Sequence, residues 1–203
     1  ALFYLGVLQS AAGKVKDAQQ SLEEALRLSR DIGSGEHEGE VLHQLGMAAS
    51  VRGDLDQARS LLKQSLEVRR GSGRGDEAGM TLVFLAAVIF TRGEMDAARR
   101  LLHEALTIGL ALRDRRSAWS LDVLACMTAM EGDLDRALRL AGAASAMFDA
   151  TGQKPPERWH QFTSMFLEPA RSELGPARVE EIWATGRKLD FEAAMDYALQ
   201  ETK

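Results

Sequence analysis

The line "VRGDLDQARSLLKQSLEV" (Val51–Val68) returns as "TRGEMDAARRLLHEALTI" (Thr91–Ile108), and the interval is 91 minus 51, or 40 residues. Aligning the chain on itself at that offset brings Gly13, Gly53, Gly93 and Gly132 into register, at steps of 40, 40 and 39. A period of this length marks a stack of structural repeats. Five residues after each glycine stands an alanine: Ala18, Ala58, Ala98 and Ala137. Seven before it stand Gly6, Gly46, Ala86 and Ala125, each preceded by leucine.

This pattern describes two antiparallel helices joined by a tight turn. Glycine at the end of the first helix can adopt the left-handed conformation that closes it. The next residue, Asp54, Glu94 or Asp133, supplies an acceptor and a negative charge for the N-terminus of the second helix. The small residues let the two axes approach. Leu22, Leu26, Leu62, Leu66, Leu102 and Leu106 recur at helical spacing and are expected to fill the layer between repeats. A single pair cannot bury both its apolar faces, so stacking is required. The expected fold class is all-α: a right-handed α-solenoid of about four helix pairs with a C-terminal helical cap. Repeats are placed at residues 1–39, 40–79, 80–118 and 119–154, and the cap at 155–203.

Composition agrees. The 203 residues are 27% charged with 25 basic and 30 acidic side chains, and a net charge of -5 without a basic stripe argues against direct nucleic-acid contact. The earliest of four prolines is Pro155, so the array is free of the strongest helix breaker. No apolar run approaches the length a membrane helix needs. The lone Cys126 excludes an internal disulfide framework and fits a reducing compartment, so a cytoplasmic location is expected. The opening "ALFYLGVL" begins in the middle of an amphipathic helix and reads as part of something longer.

The connections "DIGSGEHEG", "GSGRGDEAG", "RDRRSA" and "ATGQKPP" read as polar surface turns. "GSGRG" (Gly71 to Gly75) lacks the preceding strand and following Gly-Lys-Ser/Thr of a phosphate loop. "EHE" (Glu36 to Glu38) reads as a solvated acidic loop, and His37, His43, His103 and His160 lack metal-ligand spacing. The acidic pairs Asp54 and Asp56, and Asp133 and Asp135, recur with the repeat. Copies of one turn offer one environment, whereas a catalytic acid and base need two. No enzyme, cofactor or metal site is expected.

The residues "LG" at Leu45 and Gly46, with Gly53, Ala58, Leu62 and Ser65 and their counterparts, resemble the tetratricopeptide repeat family. That family's usual repeat is about 34 residues with a proline near the end of the second helix. Here the period is longer and the proline is missing, so the chain is similar to the long-repeat variety in the C-terminal regions of bacterial LuxR- or MalT-like signalling ATPase transcription regulators. The closing segment, with Gly186-Arg187-Lys188-Leu189 and a Glu-Ala-rich helix, resembles theirs. The fourth copy departs from the pattern: Ala141, Gly142, Ala143 and Ala144 stand where leucines are expected.

The resemblance implies that the first helix of each pair lines a concave groove. Spacing then selects Phe3 and Val7; His43, Met47, Ser50 and Val51; Val83, Ala87, Phe90 and Thr91; and Asp122, Cys126, Ala129 and Met130. The groove is largely apolar and lacks the basic set of a carboxylate clamp. It suits an apolar or amphipathic segment of a protein or peptide partner, which includes another domain of the same full-length chain. Packing against neighbouring repeats is the competing explanation for the same residues. A small apolar effector between the last repeat and the cap is the alternative function, with Trp119, Trp159, Phe162 and Trp183 as its candidate pocket. Pro169 is expected to kink or end its helix, Pro176 to begin one, and Asp190 to cap the last.

Overall fold

The computed structural model describes residues 1–72 and 75–200. Gly73 and Arg74 of the glycine-rich run lie outside the described residues. The described residues form helices and connecting turns. In chain order the helices are α1 (Leu2–Ala11), α2 (Val15–Asp31), α3 (Gly35–Val51), α4 (Leu55–Gly71), α5 (Gly79–Thr91), α6 (Met95–Leu112), α7 (Ala118–Met130), α8 (Leu134–Thr151), α9 (Glu157–Leu174), α10 (Pro176–Arg187) and α11 (Phe191–Leu199). The fold class is therefore all-α, as expected. The chain divides into two compact units, Ala1–Glu94 and Met95–Lys203, with the division in the third glycine turn.

The turns form for the reason the repeat suggests. Gly13, Gly53, Gly93 and Gly132 all take positive φ, between 73° and 88°. Asp54 accepts from the Gln57 amide at 3.0 Å and Asp133 from the Arg136 amide at 3.1 Å, each satisfying an orphan donor of the next helix. Glu94 instead pairs with Arg59 at 2.8 Å. At Gly53 a Cβ would meet no atom within 4 Å. Gly53→Ala therefore tests backbone conformation alone, and it is expected to cost about 1 kcal/mol in denaturant unfolding.

A second turn position repeats too. Gly33 and Gly152 adopt φ of 66° and 65°, and Arg113, at the equivalent position, adopts 51° without being glycine. Its side chain reaches Glu192 of α11 as an ion pair.

Within the first unit, Leu22 and Ala25 of α2 pack with Val41 and Leu45 of α3, the layer expected between successive pairs. The small positions bring the axes together by admitting a larger side chain. A Cβ on Gly6 would lie 2.7 Å from Leu22 Cγ, and one on Gly46 would lie 2.7 Å from Leu62 Cγ. Each glycine makes room for a leucine of the second helix.

Helix α3 begins at Gly35, so the "EHE" residues form its first turn and not a loop. Ser34 caps it, accepting from the His37 amide, and Glu36 and Glu38 stand where a helix N-terminus favours negative charge. A Cβ on Gly39 would press on Arg69 Cγ at 2.9 Å, and the Gly39 carbonyl accepts from buried Ser65 Oγ at 2.6 Å. Helix α3 is thus held to α4 from its first turns.

In the second unit α7 and α8 form a hairpin on which α9 and α10 lie. Pro169 does not end α9, which runs on to Leu174. Proline removes one amide donor there, and both Pro169 and Met165, whose carbonyl loses its partner, are exposed to water. Pro176 starts α10, and Asp190 caps α11 by accepting from the Ala193 amide at 2.8 Å. Helix α10 crosses α8 at contact distance. A Cβ on Gly142 would lie 2.5 Å from the Trp183 carbonyl oxygen, and one on Gly186 would press on the Arg139 carbonyl. The Ala-Gly-Ala-Ala run of the fourth copy is the bed for this crossing, because leucines there would hold the helices apart.

Candidate recognition surfaces

The first helices present only part of the face expected to meet a partner. Val51, Thr91 and Met130 occupy one repeat position, the last residue of the first helix, and all are exposed. In the first unit Phe3, Val7, Met47 and Ser50 are half-buried. His43, Val83, Ala87 and Phe90 are in the core at 7%, 2%, 8% and 3% exposure, and Cys126 of the second unit is fully enclosed. These five serve packing, and side chains beneath the surface cannot meet a partner in this conformation. Asp122 and Ala129 are half-buried.

His43 shows what burial does to chemistry. Its Nδ1 lies 3.2 Å from Thr81 Oγ1 and its ring meets Phe84 edge-on. Loss of hydration, with the Arg69 charge adding to it, pushes its pKa down to about 3, so the ring is neutral. Cys126 is likewise quiet. Burial and the nearby Asp122 carboxylate push its thiol pKa upward, away from the reactive thiolate.

Three of the four aromatic residues expected at an effector pocket converge. Trp119 and Trp159 meet edge to face at 4.7 Å between centroids, and Phe162 follows at 5.4 Å from Trp159. Trp183 stands apart from them in its partner, lying under the Arg171 guanidinium at 5.1 Å. Each clustered indole N–H is satisfied: Trp119 donates to Gln153 at 3.1 Å and Trp159 to Asp122 Oδ2 at 2.8 Å. Burial pushes the Asp122 carboxyl up to about 7, against the lowering effect of the Trp159 hydrogen bond. A carboxylate read as a groove residue is therefore a joint between α7 and α9.

A cleft of about 440 Å³ in the second unit was not foreseen. Asp96, Arg99, Arg100, Leu102, His103 and Leu106 of α6 form one wall, Leu124 of α7 contributes to the floor, and Ala198, Leu199 and Gln200 form the other wall. The stripe Asp96, Arg99, Arg100, His103 has legible helical spacing. Its opposite wall was not legible, because it requires α11 to return to α6. That return rests on Met195, fully buried, with its Cε 3.5 Å from the space a Cβ would take at Gly109. Arg136 holds the end of α11, donating to the carbonyls of Tyr197 and Gln200 at 2.9 Å each.

The helix hairpins, their left-handed glycine turns and the Leu-Gly step of the first helix can be set beside known proteins. Tetratricopeptide repeat models match residues 1–71 and 79–104. These segments are tetratricopeptide repeats. Among solved structures the chain is similar to a Podosopora anserina putative kinesin light chain with nearly identical TPR-like repeats, at 18% identity, a TM-score of 0.63 and 92% coverage of each chain. A substituted form of that protein matches equally, at 18% identity and a TM-score of 0.63, with 92% of this chain and 91% of that chain covered. No curated protein sequence matches the chain. At this identity the structural likeness concerns the fold. Tetratricopeptide repeats generally serve as scaffolds for protein–protein interaction. Among the described residues no helix is long and apolar enough to cross a membrane, and no group of three or more His, Cys, Asp or Glu side chains is placed to hold a metal ion.

Proposed function

We propose that this tetratricopeptide-repeat chain is a non-catalytic recognition scaffold, the interaction or sensor segment of a larger bacterial transcriptional or signalling regulator working in the cytoplasm. Its partner is a protein or peptide, either separate or another domain of the same full-length chain. The observation that carries the recognition reading is the shared exposure of Val51, Thr91 and Met130 at one repeat position, with half-buried Met47 one turn before Val51. Scattered apolar exposure is ordinary, but the exposure at Val51, Thr91 and Met130 returns with the structural period. The regulator context rests on the closing segment, where Gly186 to Leu189 and the Glu-Ala-rich α11 resemble the ends of such proteins.

The test uses positions that tolerate charge. Met47→Glu with Val51→Glu, and separately Met130→Glu, are expected to preserve helicity and unfolding midpoint while reducing partner capture at least ten-fold. Phe90 is unsuitable for this test because a carboxylate at 3% exposure would unfold the repeat. Undiminished capture by folded variants would overturn the surface assignment. The convergence of Trp119, Trp159 and Phe162 supports a second reading, an apolar effector seated against the α7–α9 cluster. A ligand that changes tryptophan fluorescence in both glutamate variants would favour it.

A further inference from the structure

We infer that the cleft between α6 and α11 is a binding site for a small aliphatic carboxylate, separate from the protein-recognition surface. Its shape and its chemistry point the same way. The volume of about 440 Å³ lies in the range of small-molecule sites and exceeds what a stray water occupies. The interior is leucine-lined: Leu102 and Leu106 from α6, Leu124 from α7 and Leu199 from α11. An apolar chain entering it would shed its hydration without stranding a polar group.

The rim selects the head group. Arg99, Arg100 and His103 stand at i, i+1 and i+4 along α6 and face the cleft together with Asp96. Arg99 is already engaged by the Glu131 carboxylate. Arg100 and His103 are exposed, and Arg100 is the cation whose fork can meet a carboxylate in bidentate fashion. Asp96 on the same rim disfavours a second negative charge, so a monoanion fits better than a dicarboxylate. The far wall would ordinarily repel an anion, since a helix C-terminus carries negative partial charge. Here Arg136 covers those carbonyls, bonding Tyr197 and Gln200 at 2.9 Å each and stacking at 4.8 Å from the Tyr197 ring centroid. The wall is thereby both fixed in place and offset in charge.

Calorimetric titration of the 203-residue chain with octanoate, decanoate and decanol tests each part. Decanoate should bind about ten-fold tighter than octanoate, the gain for two more buried methylenes, and decanol should bind at least ten-fold weaker than decanoate. Arg100→Gln should weaken decanoate about ten-fold, and Leu199→Asp should abolish the binding by placing a charge in the apolar interior. Both are surface or half-buried positions, so unchanged unfolding midpoints are expected alongside. Equal binding of decanoate and decanol, or decanoate binding unchanged in Arg100→Gln, would overturn the assignment. So would binding unchanged in Leu199→Asp, which would place the ligand on exposed apolar residues elsewhere, such as Tyr4 and Leu8. Absence of decanoate binding would overturn it outright.

Discussion

Gly186→Ala is expected to pull α10 away from α8 and to destabilise the second unit by about 2 to 3 kcal/mol, with more if the crossing is lost altogether. The added methyl would press on the Arg139 carbonyl group, whose carbon would lie 2.9 Å away. Backbone of a packed helix cannot rotate aside. Gly142→Ala meets the same crossing from the other side, 2.5 Å from the Trp183 carbonyl oxygen. The two substitutions should therefore cost less together than the sum of their separate effects, since the first already forces the helices apart. Gly46→Ala provides the contrast. Its closest contact would be Leu62 Cγ at 2.7 Å, a side-chain atom and not a carbonyl group of a crossing helix, so a smaller loss is expected. Gly71, with open space at its Cβ and no positive φ, should gain a few tenths of a kcal/mol as alanine. Urea unfolding of the four variants checks the order, and a neutral Gly186→Ala would mean that α10 is not seated on α8.

Asp122→Asn should remove a pH dependence of stability and raise stability at alkaline pH. The folded-state pKa of Asp122 is pushed up to about 7 from an ordinary 3.8 by burial, so the folded chain holds a proton that the unfolded chain releases. Stability from this group is complete below about pH 4, falls as pH rises, and is lost above pH 7. Between pH 5 and pH 8 the loss is on the order of 2 kcal/mol. Asparagine keeps an oxygen to accept from Trp159 Nε1–H and carries no charge. His43 acts in the opposite sense. Its depressed pKa makes its contribution complete above about pH 6.5 and lost as pH falls toward 3. The difference between wild type and Asp122→Asn cancels the histidine and isolates the carboxyl. A difference that stays flat from pH 5 to pH 8 would show that water or a cation reaches Asp122.

The same two sites show how far the exposure of the candidate residues was legible in the sequence. Val51, Thr91 and Met130 lie at helix ends beside the glycine turn, where the chain must emerge into solvent, and repeat spacing was enough to find them exposed. Cys126, Phe90 and His43 lie inside the same helices, and their apolar or amphipathic character suits a groove and a core equally. Asp122 is the sharpest case. Alone it reads as a polar surface residue, and only Trp159, 37 positions later, makes it a half-buried joint between α7 and α9.

The sequence by itself determined the hairpins. A left-handed glycine at positions 13, 53, 93 and 132, an acidic cap after two of those glycines and Asp190 before α11 act through dihedral angles and hydrogen bonds within a few residues, so a local pattern encodes them. The tertiary structure alone decided which small residues admit leucine and which admit a helix backbone, where α11 returns to α6, and which face of each first helix is closed. Those outcomes depend on side chains brought together from distant positions, as Gly142 and Gly186 are. Close packing fixes them through excluded volume, which has no period in the sequence.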